Sequence, residues 1–336
     1  MDNFFKHIHI QNFKSIADLD LDDCRRINLF IGYPNVGKSN VLEAMSLFSL
    51  SDLKEGNNIN RFIRVENIHE LFFDNRVNAC SVTDDFSTIE LKSNSFVIRH
   101  ECVGYEKQFF LSNKLNLTKR TDSNIDDGED YWHSNVKKYI FKANPDWLAD
   151  SSLSLSQPFG ENIVNVLSYN PDLSEVIKWT KDELLKYQLE LVLDISTYSL
   201  KVQQRLSGDK VKQLPYSSIA DTLQRVIFYK TAIASNTNSV LLFEEPGAHA
   251  FPPYIRNITQ DIIEAKTNQF FIVTHSPFVV NDFLEYADLR EEVAIYLFDF
   301  KNGHTTAKRL KDKDLDEVYN YGIDLFFNIE SFLRNE

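Results

Sequence analysis

The 336-residue sequence contains no run of about 18 apolar residues, so no membrane-spanning helix is expected. Its opening, MDNFFKHIHIQNF, lacks the basic start, apolar stretch and small-residue cleavage site of a secretory signal, and a cytoplasmic location is expected. Cysteine is scarce. Cys24, Cys80 and Cys102 lack metal-ligand spacing, which favours reduced thiols over a disulfide framework. Positive charge is short too: 36 Lys and Arg against 49 Asp and Glu leave a net charge of -13. Affinity for nucleic acid comes from cations neutralising phosphates, so a surface that is all nucleic-acid footprint is disfavoured. Whole-chain charge says little about one face, and a local basic groove remains compatible with it. No repeat, low-complexity tract or sustained heptad stands out, so a long coiled-coil arm is not expected.

What is present is the balance of an ordinary globular protein, 43% apolar and 25% charged, with 26 Phe and 14 Tyr to fill a ring-rich core. Residues 5–13 (FKHIHIQNF) alternate like a half-buried strand. INLFI at 27–31, VLLF at 240–243 and FFIV at 270–273 are short apolar runs that suit parallel strands buried on both faces, and VAIYLF at 293–298 is a fifth strand candidate. Helical patterns at about 38–48, 219–234 and 254–265 separate them. Strand–helix alternation implies a layered α/β domain with a parallel sheet. Between about 60 and 200 the texture changes. Residues 79–118 read as antiparallel hairpins, 119–135 as a polar acidic loop, 172–188 as helix and 189–205 as strand. Leu315–Leu333 has the spacing of an amphipathic helix packed on the domain.

The strongest chemical signal is Gly32-Tyr-Pro-Asn35-Val36-Gly37-Lys38-Ser39, which fits G-x-x-x-x-G-K-[ST] and lies between an apolar strand and a helix, the context that motif requires. Glycines let the backbone curl so that N–H groups surround phosphate oxygens, and the helix N-terminus adds a favourable field. Lys38 should reach the β- and γ-phosphates of ATP, Ser39 should ligate Mg²⁺, and Asn40 completes the phosphate-binding set. The second segment, Ser239–Pro246, ends an apolar strand in two carboxylates at the sheet's carboxyl edge, where α/β ligands bind. Glu244 is assigned to the metal and Glu245 to activation of water. The third, FFIVTHSP, places His275 at the end of another buried strand, where it can sense the γ-phosphate.

IHIQNFKSI, INLFIGYPNVGKSNVLEAMSLF, FEEPGAHAFP and FIVTHSP together resemble the ABC-type ATPases grouped with the SMC and RecF proteins. Within that group the chain is most similar to AAA-family ATPases related to OLD (overcoming lysogenization defect) proteins. The resemblance covers residues 1–50 and 215–285. It implies a P-loop NTPase of the ABC-type head fold: a parallel sheet core, an antiparallel β lobe and a helical insertion at 135–190. The expected divisions are 1–60, 61–212 and 213–336. It also implies a homodimer or higher homo-oligomer in which two protomers sandwich two ATP molecules, each ATP touching a signature segment of the opposite chain. The matching region is Leu214–Arg225, with Ser217, Ser218, Asp221 and Thr222 as candidates; it lacks the family's usual glycines. Gly247 stands where relatives often carry a third acid, and His249 fits the loop that crosses to the partner's site. Asn12, Phe13 and Lys14 sit where base and ribose are often approached, and Glu70–Phe73 is a candidate lobe connection.

Two functions follow from different classes. In the first, ATP binding and hydrolysis make the chain a sensor or scaffold for a separately encoded effector, as in anti-phage defence. OLD-type relatives often carry a Toprim nuclease domain after the ATPase, and the 60 residues after Ser276 are expected to be too few for one. In the second, it is a RecF- or SMC-like ATPase that clamps DNA. Basic residues near 119–121, 137–138 and 308–313 are interspersed with acids and read as solvated surface. The altered signature leaves ATP binding expected and makes fast unaided turnover less so.

Overall fold

A computed structural model describes residues 4–52, 58–75, 79–100, 104–112, 115–119, 135–285 and 291–334. Among these residues the strands form three sheets. The central one contains β3 (Ile27–Gly32), β9 (Val136–Tyr139), β13 (Val240–Glu244), β14 (Gln269–Val273), β15 (Val293–Lys301) and β16 (His304–Arg309), in the order β16-β15-β3-β14-β13-β9. Every pairing is parallel except the β15–β16 hairpin. The four apolar runs of the sequence are thus neighbours, and VAIYLF pairs with β3 as an inner strand. All six residues of β3 and all five of β14 are buried, as strands covered on both faces require.

Successive side chains of these strands serve opposite faces. Ile27, Leu29 and Ile31 join one core with α2 (Ile163–Tyr169), α3 (Ser174–Leu185), α4 (Asp221–Ala234) and α5 (Pro252–Glu264). Phe30 joins a second core with α1 (Lys38–Met45) and the inner face of the antiparallel sheet. Each fully buried Phe or Ile removed from water here contributes roughly 1.5–3 kcal/mol. The antiparallel sheet runs β2-β1-β4-β5-β6-β7-β8 and joins β1 (Ile8–Phe13) and β2 (Ile16–Leu21) to the hairpins of β4 (Ala79–Asp84), β5 (Ser87–Lys92), β6 (Ser95–His100), β7 (Tyr105–Leu111) and β8 (Leu117–Lys119). A meander of β10 (Leu189–Asp194), β11 (Ser199–Arg205) and β12 (Val211–Pro215) leaves α3 and leads into α4; Leu206–Gly208 lies in its second turn.

Three expectations change. Residues 136–139, read as part of a helical insertion, are the edge strand β9 of the central sheet. The helical insertion proper comprises α2 and α3. After α6 (Pro277–Leu284), the single C-terminal helix is two, α7 (Asp312–Tyr321) and α8 (Leu325–Arg334), because Gly322 at φ +61° ends the first. The helix expected over 38–48 ends at Met45 and continues as a 3-10 turn over Ser46–Asp52. The acidic loop expected at 119–135 lies almost wholly outside the described residues. Among the described residues no helix is long and apolar enough to cross a membrane. Cys24 and Cys80 are buried and free.

Candidate functional site

The carboxyl ends of β3, β14 and β13 are adjacent, with Phe30 registered on Val273 and Val273 on Glu244. The polar residues that follow each strand therefore converge. They line one cleft of about 560 Å³ with Asn35, Val36, Gly37, Lys38, Ser39, Asn40, Glu244, Glu245 and His275 on its walls. Gly32 forms the end of β3 just beneath the loop.

The loop at 32–39 needs its glycines. A Cβ on Gly32 would stand 2.6 Å from the Phe298 carbonyl oxygen, and one on Gly37 2.0 Å from Thr305 Oγ1. Gly37 also has φ +98°, a conformation that side chains rarely adopt. It caps α1 and leaves the first N–H groups of that helix facing the cleft. The Lys38 ammonium is folded back, donating to the carbonyls of Gly32 (2.8 Å) and Tyr33 (2.7 Å). Burial pulls its pKa down to about 8 against the supporting charge of Glu245. Beneath the loop, Ser15 Oγ lies 2.7 Å from Thr305 Oγ1 and accepts from Asn40 Nδ2 at 2.7 Å, tying α1 to the β1–β2 turn and to β16.

Glu244 and Glu245 are neighbours in different circumstances. Glu244 Oε1 accepts from Ser39 Oγ at 2.5 Å and from the Arg64 guanidinium at 3.1 Å. Its carbonyl accepts from the Tyr229 hydroxyl of α4 at 3.2 Å. Glu245 has φ +50°, an uncommon conformation for a residue with a side chain. Its amide still donates to the Val273 carbonyl (3.0 Å), so the strained turn is locked to the sheet. Oε2 accepts from the His275 amide at 3.3 Å, while Oε1 is buried without a hydrogen-bond partner. The His275 ring nitrogen Nε2 stands 3.6 Å from Oε1, beyond hydrogen-bond reach. Burial pushes Glu245 up to about 7, opposed by the His275 amide and the Lys38 charge. Burial, then the Lys38 charge, lowers His275.

The donor set suits a magnesium–triphosphate. Ser39 Oγ and Glu244 Oε1 are hard oxygens 2.5 Å apart, and Mg²⁺ is usually held by one or two such groups completed by phosphates and water. The glycine cradle has room for no Cβ, and Glu245, one of whose oxygens is buried without a partner, lines the same cleft.

Ser217, Ser218 and Asp221 are not brought to this cleft. The two serines sit exposed on a 3-10 turn (Tyr216–Ser218), and Asp221 opens α4, paired with Arg225 at 3.4 Å. Thr222 Oγ1 donates to the carbonyl of His249 (3.2 Å), an exposed residue at φ +57°, so the start of α4 and the loop after Glu245 present one surface. Of the other candidates only Lys14 lines the cleft. Phe13 is fully buried and bridges to Phe72, and the Lys14 amide donates to Leu71, so residues 70–73 pack beneath β1 instead of reaching the cleft.

Sequence reasoning missed Arg64, Glu43, Ser15 and Thr305, and its reading of Lys138 as solvated surface is overturned by the burial of that side chain. Glu43, fully buried on α1, binds Lys14 Nζ and accepts from Arg64 Nε at 2.7 Å. Burial opposes its charge, yet Lys138, Lys14 and Arg64 together hold its carboxyl below the usual range. Lys138 of β9 is buried, donates to the Phe62 carbonyl at 2.7 Å and is pulled down to about 8 by burial. The apolar-run signal hides such groups, because a lysine within a short strand argues against a buried one.

Residues 27–281 match the family described as "AAA domain, putative AbiEii toxin, Type IV TA system", and the chain belongs to that family. It is 29% identical over 135 residues to the uncharacterized protein MJECL10 of Methanocaldococcus jannaschii, covering 35% of this chain and 58% of that one. It is 25% identical over 229 residues to the DNA replication and repair protein RecF of Leptospira interrogans, covering 62% and 59%. The chain thus spans just under three fifths of the length of these two relatives. A crystal structure of an SMC head bound to the C-winged helix domain of ScpA superposes with a TM-score of 0.52 over 93% of this chain and 99% of that one, at 14% identity. The fold is that of an SMC-type P-loop ATPase head.

Proposed function

We propose that the chain, as a member of this AAA-domain family, binds ATP with Mg²⁺ in the cleft and hydrolyses it, using the cycle to control an assembly. The observation that carries the reading is the meeting of three sequence-distant segments, at Lys38–Ser39, Glu244–Glu245 and His275, on adjacent strand ends. The loop N–H groups and Lys38 bind the phosphates; Lys38 leaves the two carbonyls it now holds to do so. A magnesium ion held by Ser39 and Glu244 would supply charge neutralisation at the phosphates. Glu245 accepts the proton of the attacking water: a buried carboxylate with one free oxygen and a pKa near 7 is poised for that at neutral pH. His275 orients the γ-phosphate or the water from the neighbouring strand end.

The exposed surface of Ser217, Ser218, Asp221, Thr222 and His249 is the region offered to a second copy of the chain, the two closing around nucleotide as a homodimer. The dimer then acts as sensor or scaffold for a separately encoded effector, in an OLD-like arrangement and in the setting of anti-phage defence. The family's description, which names a toxin–antitoxin system, supports that setting. The second reading, a DNA-clamping ATPase of the RecF or SMC kind, draws on the RecF relative.

The test is size-exclusion chromatography with light scattering on wild type and Glu245→Gln, with and without ATP–Mg²⁺, after co-expression with neighbouring genes. An ATP-dependent dimer that retains a co-expressed protein supports the effector reading. A dimer that carries nucleic acid and no protein supports the clamp. Absence of any ATP-linked change in size contradicts both.

A further inference from the structure

The Arg64 guanidinium is bound to the Glu244 carboxylate oxygen that is assigned to the metal. It donates to Glu244 Oε1 at 3.1 Å, and that same oxygen accepts from Ser39 Oγ at 2.5 Å. The Glu244 oxygen that Ser39 binds is therefore also paired with a cation that belongs to the chain itself. The root of Arg64 is fixed. Ile63 and Val65 on either side are buried, Lys138 holds the Phe62 carbonyl at 2.7 Å, and the Arg64 amide approaches Glu43 Oε1 at 3.4 Å. Its Nε donates to the same Glu43 oxygen at 2.7 Å. Only the far end of the side chain, two-thirds exposed, crosses to Glu244. Glu43 is thus a pivot held by two links to Arg64, and the Glu244 contact is a third that can be given up.

We propose that Arg64 is a resident counter-ion for Glu244 that competes with the divalent ion for the same carboxylate oxygen. In the nucleotide-free cleft the guanidinium offsets the charge of an acid that would otherwise repel an incoming polyphosphate. When metal and nucleotide arrive together, the guanidinium swings on Glu43 away from Glu244, and its positive charge stays at the mouth of the cleft beside Lys14. Loading is thereby coupled to the segment 59–72, which carries Arg64 and is bridged to the end of β1 at Phe72–Phe13. Arg64 is a positioning residue here: it acts on metal entry through Glu244.

The inference rests on the proposed ATP reading, and the test separates the two. Binding of a fluorescent, non-hydrolysable ATP analogue is titrated against MgCl₂, and separately in EDTA, for wild type, Arg64→Ala and Arg64→Lys. For Arg64→Ala the magnesium concentration at half-saturation should fall about fivefold, the worth of one partly exposed ion pair, while affinity in EDTA weakens. Arg64→Lys, which keeps the charge but not the two-armed fork, should fall between. An unchanged magnesium midpoint in Arg64→Ala, in a protein with the melting temperature of wild type, overturns the competition. Wild type that binds no nucleotide at any magnesium concentration overturns the ATP reading instead.

Discussion

On the phosphate-loop side of the cleft, Lys38, Ser39 and Glu244 all have partners: two carbonyls for the ammonium, and a hydroxyl and a guanidinium for the carboxylate. Across the cleft, Glu245 sits in a left-handed turn with one oxygen unpartnered, and the His275 ring nitrogen Nε2 is 3.6 Å from that oxygen. The first side is satisfied by contacts that a ligand can replace one for one. The second holds an uncompensated group in place through backbone links to the sheet, at a cost to stability. On the proposed function these are a binding half and a reacting half, because a group that must take a proton in the transition state is worth more unpaired beforehand.

Glu245→Gln should separate the halves most sharply. Turnover of ATP is expected to fall about 10²–10⁴-fold while nucleotide affinity stays near wild type, as read by phosphate release and by calorimetry. Equal losses of both would mean that the two halves are one.

The same variant tests the stored cost. With its pKa raised from the ordinary 4.5 to about 7, Glu245 keeps an extra proton in the folded state between those values. The folded state therefore loses stability as pH rises through that window, and the full penalty applies above it. Glu245→Gln has no such titration. Its stability relative to wild type should rise by roughly 2 kcal/mol between about pH 5 and about pH 8, measured by denaturant unfolding without nucleotide. Lys38, pulled down to about 8, titrates above most of that range. A difference independent of pH would show that Glu245 is not desolvated.

His275→Ala removes one charge-facing hydrogen-bonding group from the reacting half. Turnover should drop about tenfold, equivalent to about 1.5 kcal/mol, with little change in binding. A larger loss of affinity than of rate would move His275 to the binding half.

The comparison also explains what could be read in advance. Parallel strands buried on both faces leave continuous apolar runs, so INLFI, VLLF, FFIV and VAIYLF revealed the central sheet, and the acids and histidine just beyond them line one cleft at its carboxyl edge. The groups that finish the binding half were not legible. Thr305 reaches Gly37 across the β15–β16 hairpin, Arg64 reaches Glu244 from an irregular segment, and each contact depends on the assembled fold. Strand β9 was masked by Lys137 and Lys138. Lys138 is buried there because the Phe62 carbonyl accepts its hydrogen bond and Glu43 supplies opposite charge; Lys137 instead donates to Asn236 at 2.6 Å. At the C-terminus the apolar spacing was right, and only the φ of Gly322 divides the helix.

The central claim is that the loop at 32–39 holds the phosphates of ATP through Lys38. Calorimetric titration of ATP–Mg²⁺ into wild type and Lys38→Ala tests it directly. The account predicts binding to wild type and an affinity roughly hundredfold lower or worse in Lys38→Ala, because one charge-assisted phosphate contact and its desolvated ammonium are lost together. Ordinary affinity in Lys38→Ala would contradict it.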